Sequence, residues 1–396
     1  MSTLLIGTTK GLFLLRPDTG RSRWSVSGPH CDGWPINHAI ASPDGRQIWA
    51  AGGSDWHGAG VWTSQDGGTS WALAKLSNGG FDRMLTDDPD MAGYFNLPAP
   101  TPAPFTGKVS ALWSLGRAGR RLLAGGKPGV LFQSDDDGAT WAEVASLNDH
   151  PSRDSWQPGG AGLILHSIVT AEDAPERLWL GISAAGVFAS EDGGATWDRR
   201  NRASNEGAIH DHAASPDHDH APHHDPHHDH AADEVGLCVH NFTRARAPGD
   251  LIYQQNHHGV FRSADGGRSW TDISAGLPSR FGFPIAVHPE DPQTIWVLPL
   301  NGDTQGRFPP DASCAIWRSR NGGESWERLS DGLPQTACFF TVLRQSMAVA
   351  PAQTAGKAAL YFGTNSGSVF ATQDDGDHWD EIARHLPTIL SVETAA

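Results

Sequence analysis

Short apolar runs alternate along this chain with clusters of Gly, Pro, Asp and Ser, and they recur in a fixed order. One class reads Gln47-Ile-Trp-Ala-Ala51, Arg177-Leu-Trp-Leu-Gly181, Leu251-Ile-Tyr-Gln-Gln255 and Ala359-Leu-Tyr-Phe-Gly363. A Gly-containing link leads from each to a second class, as in Gly60-Val-Trp-Thr-Ser64, Gly186-Val-Phe-Ala-Ser190 and Gly259-Val-Phe-Arg-Ser263. Ahead of each pair lies a third run, such as His166-Ser-Ile-Val-Thr170 or Pro284-Ile-Ala-Val-His288. Runs this short, rich in β-branched and aromatic residues and bounded by turn formers, predict strands.

The second class runs straight into an octad that occurs six times: Ser64–Trp71, Ser134–Trp141, Ser190–Trp197, Ser263–Trp270, Ser319–Trp326 and Thr372–Trp379. Its third residue is Asp or Asn, its fifth Gly and its last Trp, and a longer, degenerate copy spans Arg16–Trp24. The Asp side chain can accept bonds from the turn's own amides, Gly supplies positive φ, and Trp opens the returning strand. A carboxylate present in every repeat reads as structural, because catalysis has no use for a copy in each.

Each repeat therefore holds four strands, A to D, with the octad turn between C and D. Seven such repeats predict an all-β fold, a seven-bladed β-propeller of four-stranded blades. The chain opens on a strand B (Thr3–Gly7), and a spare strand at 388–393 is expected to complete blade one and close the ring. Residues 1–396 thus read as a single propeller carrying a His/Asp-rich low-complexity insertion at 205–234.

Lys and Arg total 29 against 45 Asp and Glu, a formal charge of −16, which argues against nucleic acid or an anionic membrane as partner. No apolar run approaches the ~18 residues of a membrane-spanning helix. Four scattered cysteines (Cys31, Cys238, Cys314, Cys338) do not make a disulfide scaffold, and the first ten residues read as a strand. The expected location is the cytoplasm.

The octads resemble the Asp-box, or BNR, repeats of the sialidase-like propeller superfamily over nearly the whole chain. Further stretches are similar to bacterial intracellular proteins filed as glycosyl-hydrolase-like or exo-α-sialidase-like: 149–160 (DHPSRDSWQPGG), 255–259 (QNHHG), 281–284 (FGFP), 307–311 (RFPPD) and 360–363 (LYFG). Resemblance to true sialidases implies six blades, an Arg triad, a Tyr nucleophile partnered by Glu, and an Asp acid. This chain lacks the Phe/Tyr-Arg-Ile-Pro start, and of its three tyrosines (Tyr94, Tyr253, Tyr361) two sit in predicted B strands. The sialidase catalytic set is therefore not recognisable, while paired carboxylates elsewhere stay open as a glycosidase alternative.

The octad turns and the short A–B links share one face. The opposite face receives the D–A and B–C loops, including 75–108, 146–162, 201–235 and 299–313, the longest in the chain. Long loops on a rigid scaffold are the expected working face. Counting back from strand B places His38, His166 and His240 at one level of the innermost strands, with Ser110, Pro284 and Ser346 in other blades. Three imidazoles around the axis, with Cys238 on the same side of its strand, are candidate ligands for a divalent transition metal (Zn, Ni or Cu). His288, on the octad side, is the internal control.

Trp156, His257, Arg307 and Arg344 fall in loops of the working face and suit a small-molecule or carbohydrate-like ligand, one with a carboxylate included. Residues 210–230 hold nine His and five Asp, and His218, His220, His223, His224, His227, His228 and His230 are further metal candidates. Two functions follow: a ligand-binding protein with metal-assisted hydrolase or lyase chemistry, or a non-catalytic scaffold or assembly factor with a protein partner and a metal-buffering loop.

Overall fold

Strand-rich repeats bounded by Gly turns have one efficient way to cover their edges, which is to close into a ring. A computed structural model describes residues 3–21, 23–202, 234–246 and 250–395. It contains seven four-stranded antiparallel sheets, each taking its strands from consecutive sequence except the first. In that blade Ile389–Ala395 pairs along Thr3–Thr8 as strand A, so the chain's last strand closes the ring. The A strands are Ile389–Ala395, Ile36–Ala41, Ala111–Ala118, Ile164–Ala171, Val239–Arg244, Gly282–Val287 and Met347–Pro351. Each touches the A strand of the next blade, and the seventh touches the first. The core is correspondingly a series of apolar layers between neighbouring sheets.

Hydrogen bonding inside the octad follows from its residue types. The Ser64 hydroxyl donates to Asp66 Oδ1 at 2.8 Å and accepts the Gly68 amide at 2.8 Å. The Ser70 amide and hydroxyl then donate to the two Asp66 oxygens at 2.9 and 2.6 Å. Gly67 and Gly68 sit at φ 68° and 93°. Asp137 and Asp375 take the left-handed position where Gly is missing.

The fourth residue of the octad explains why the turn recurs. Its carbonyl accepts a bond from the preceding blade: Arg16 to Gly67 (2.8 Å), Trp49 to Asp137 (2.8 Å) and Arg121 to Gly193 (2.7 Å). Trp179 to Gly266 (3.0 Å) and Trp296 to Asp375 (2.9 Å) continue the series. At the two remaining interfaces the Tyr253 hydroxyl reaches Pro292 O, and Arg21 donates to the Tyr361 hydroxyl. Every blade is thus stapled to the next on the octad face.

These carboxylates carry a pH consequence. The Ser70 hydroxyl, then the Ser70 amide and Ser64, hold Asp66 down to about 2, and Thr196 does the same for Asp192. A depressed folded value contributes stability above the unfolded pKa, about 3.9, and loses it as pH falls through the folded one. Asp66→Asn, which copies the natural Asn321 octad, is expected to flatten part of the melting-temperature decline between pH 4 and 2. A profile identical to the parent protein over that range would contradict this role.

The 75–108 loop is more ordered than its sequence suggested. It folds into two short helices, Gly80–Asp87 and Pro89–Phe95, seated beside blade two. Among the described residues no helix is long and apolar enough to cross a membrane.

Candidate functional site on the long-loop face

A β-bulge at the start of the inner strands sets which side chains face the axis. The A-to-B register skips Asn37 in blade two, Trp113 in blade three, His166 in blade four and His240 in blade five. A bulge re-aims the skipped residue and shifts its neighbours by one place. Counting from strand B cannot see this step. His38 therefore belongs with Ser114, Ser167 and Asn241, one residue past the bulge, and blade three contributes Trp113 rather than Ser110.

This corrects the expected three-histidine arrangement. His38 Nδ1 accepts the Leu115 amide of blade three at 2.9 Å, so the proton on Nε2 points to Glu393 of blade one at 3.1 Å. Both nitrogens are occupied in tying three successive inner strands together. His166 donates from Nε2 to Val239 O at 2.7 Å, and its Nδ1 lies 2.9 Å from the Ser167 hydroxyl. Burial, helped by the Arg344 charge, pushes His166 down to about 3, so it stays neutral. His288 lies on the octad face, stacked on Trp296 and 3.6 Å from Asp375.

Among the described residues, one group of three metal-type side chains has all its donor atoms within 4.8 Å of one another: Cys238, His240 and His257. Cys238 and His240 come from the start of strand A in blade five and His257 from its B–C link. The His257 amide donates to Cys238 O at 3.0 Å, which locks the two segments together. His240 donates from Nδ1 to Gly282 O at 2.6 Å, because a carbonyl can only accept. Its ring packs against Phe281 and Phe283, with centroids 5.1 and 4.7 Å away. Burial, then the Arg344 charge, holds His240 well below its ordinary value, and burial pushes the Cys238 thiol up. Of the sequence-derived metal set, Cys238 and His240 meet; His257, read from sequence as a ligand contact, joins them.

Beside this group is a narrow opening, with room for about one water, lined by Trp113, the Gly159–Gly162 turn, His166, Ser183 and Arg344. Gly162 adopts φ 104°, which keeps that turn tight against Lys127. Arg344 stands over Phe283 at 4.7 Å, and its buried Nε has no hydrogen-bond partner among the described residues. The Trp113 indole nitrogen is likewise buried and without a partner among the described residues. A buried donor without a partner costs about 1–3 kcal/mol, and here two line one opening. Arg307 is exposed at the rim, donating to Asp303 at 2.6 Å.

Trp156 is not an exposed platform. It is 6% exposed, packs on Phe188 at 4.9 Å, and donates to the Ser152 hydroxyl at 2.9 Å. An aromatic ring with such an apolar neighbour is worth more buried than displayed. The seven tract histidines from His218 to His230 lie outside the described residues; the flanks of that segment, Arg202 and Glu234, bridge each other as antiparallel partners. Ser183, Trp113 and the Gly159–Gly162 turn were missed as site residues. The Gly-Gly-Ala-Gly run was the visible signal.

No family model matches the chain. Residues of the chain are 27% identical over 257 positions to a xyloglucanase of Paenibacillus sp, covering 60% of this chain and 22% of that protein. They are 25% identical over 143 positions to the photosystem II assembly lipoprotein Ycf48 of Synechococcus sp., covering 34% of this chain and 36% of that one. The chain thus spans well under half the length of the curated relatives it matches. Among solved structures, the GH74 xyloglucanase of Xanthomonas campestris superposes with a TM-score of 0.57 at 19% identity, over 97% of this chain and 52% of that one. Ycf48 bound to D1 peptide gives 0.51 at 14%, over 88% and 82%. The periplasmic gluconolactonase of Pseudomonas aeruginosa gives 0.54 at 15%, over 100% and 99%. At these identities the likeness establishes the propeller fold alone, with hydrolase-like and assembly-factor neighbours.

Proposed function

We propose that this propeller is a cytoplasmic ligand-binding protein of hydrolase-like kind, which takes a small carboxylate-bearing, sugar-like molecule at the axial opening of its long-loop face. The observation that carries this reading is Arg344, which lines an opening together with Trp113, its guanidinium Nε and the Trp113 indole nitrogen both buried and without a partner among the described residues. A guanidinium and an indole from residues lining one small space are groups that suit a carboxylate. The opening holds only about 10 Å³, far below the ~300–1,000 Å³ of drug-sized pockets, so a carboxylate-sized group enters it and the rest of the ligand lies outside. Four free cysteines agree with a reducing compartment. The His/Asp tract is proposed to gather Zn²⁺, Ni²⁺ or Cu²⁺ near this face.

An arginine kept for a ligand is a burden on the empty protein, since a buried donor such as its Nε, unpaired among the described residues, is costly. Arg344→Met is therefore expected to leave the melting temperature unchanged or raise it, while weakening the tightest ligand of a sugar-acid panel about a hundredfold by calorimetry, the worth of a charge-assisted bidentate pair. Arg344→Lys should fall between. A substitution that lowers the melting temperature and leaves binding intact would make Arg344 structural.

A second reading, a scaffold with a protein partner, is favoured by one observation. Trp56, Tyr94, Phe95 and Leu97 are exposed around the blade-two helices, with Tyr94 81% accessible. The rings touch in series through Phe81. A partner that co-purifies with the parent protein and is lost on Tyr94→Ser would support the scaffold; retention on this variant would set the patch aside.

A further inference from the structure

The Cys238–His240–His257 group has the features of a metal centre and not merely its residue types. We propose that it binds one Zn²⁺ through Cys238 Sγ and an imidazole nitrogen from each of His240 and His257, leaving a fourth position open toward the Arg344 opening. This site is separate from the histidine tract and stands independently of any ligand at Arg344.

Four observations converge. The donor atoms already lie within 4.8 Å of one another, so only a small closure separates them from a shared ion. The segments that carry them are fixed before any metal arrives: Val239 pairs with Asn256, and the His257 amide bonds Cys238 O. The tautomer of His240 is set by its Nδ1–H bond to Gly282 O, which leaves Nε2 unprotonated. A metal-ligating histidine characteristically spends its other N–H on such a carbonyl. Finally, Phe281 packs against both imidazoles and Phe283 against His240, an apolar wall that limits solvent access on that side of the group.

The ligand set selects the ion. One thiolate and two neutral imidazoles suit Zn²⁺ in tetrahedral geometry better than the oxygen-preferring Mg²⁺ or Ca²⁺. Three protein ligands with a fourth position left over is the arrangement of catalytic rather than structural zinc. The thiol must lose its proton on binding, and the ion supplies the stabilisation that burial denies the free thiolate. With Arg344 nearby, the open position faces a positive field and favours water, hydroxide or a carboxylate over a further cation.

Co²⁺ is the probe, because a cobalt–thiolate bond gives a near-ultraviolet charge-transfer band that histidine and carboxylate ligands do not. Titrating the full chain should raise this band, together with tetrahedral d–d absorption, to saturation at one equivalent. Cys238→Ser should abolish it and His257→Ala should weaken it, whereas replacing all nine tract histidines with Asn should leave it intact. No thiolate band in the parent protein overturns the site, as does a band that survives Cys238→Ser or disappears with the tract histidines. Should the substitutions impair folding, alkylation of the parent protein decides: one equivalent of Zn²⁺ slows modification of Cys238, and an unchanged rate overturns the proposal.

Discussion

Removing residues 389–396 is expected to leave no cooperatively folded protein. That segment supplies the whole inner strand of blade one, and Ile389 and Val392 are fully buried against Leu4, Ile6 and Tyr361. Burying an aliphatic side chain of this size contributes about 1.5–3 kcal/mol. Truncation forfeits two outright and uncovers the layer they pack on. It also strips the ladder from Thr3–Thr8 and the Glu393 partner from His38. Domains are stable by about 5–15 kcal/mol, so a loss of this order consumes most of the margin. The expected result is insoluble expression, or melting lowered by more than ~15 °C with a broadened transition. A chain ending at Thr388 that melts as sharply and as high as the parent would show that the ring does not depend on this closure.

Trp179→Ala is the point substitution with the largest expected effect on stability. Trp179 is fully buried between blades four and five and donates to Gly266 O at 3.0 Å, with the Arg177 and Arg244 guanidinium groups 5.2 and 5.7 Å from its ring. The substitution opens a cavity at a blade interface and leaves the Gly266 carbonyl with only the Arg200 guanidinium, at 2.8 Å. Large aromatic truncations in cores cost about 3–5 kcal/mol. In a chain this long that corresponds to a fall in melting temperature of roughly 4–6 °C. Trp179→Phe keeps most of the packing and loses the hydrogen bond, so its cost should be nearer 1 kcal/mol. Trp56, half exposed on the opposite face, is the control whose removal should leave melting unchanged. Equal effects for Trp179 and Trp56 would contradict the stapled-blade description.

The ring was readable in the residues because its information is local and repeated. An octad such as Ser190–Trp197 closes its own hydrogen bonds within eight residues, and its fourth carbonyl needs only an aromatic or Arg donor in the previous blade. The terminal closure followed from counting strands, and the strand at 389–395 lies within a residue or two of the expected 388–393. The site was legible only in part. Loop geography placed Arg344, Arg307 and His257 at the long-loop face, and strand placement added Cys238; the candidate opening and the Cys238–His240–His257 group lie among these residues. The grouping of His38 with His166 and His240 failed on a single skipped residue per strand, since a bulge leaves no mark in the hydrophobic alternation. Trp156 illustrates the other limit: a tryptophan in a Gly/Pro-rich loop looks the same in sequence whether it faces solvent or, as here, Phe188.

The most direct measurement of the central claim is the nitrogen-15 resonance of Arg344 Nε, assigned by its disappearance in Arg344→Met and followed while sugar acids and simple carboxylates are added to the full chain. Because that Nε–H is buried and lacks an acceptor among the described residues, an anion entering the axial opening should shift its resonance strongly and saturably, at the concentration where calorimetry reports binding. A resonance that stays fixed across the whole panel, while other sites respond, would contradict an anion-binding role for the axial opening.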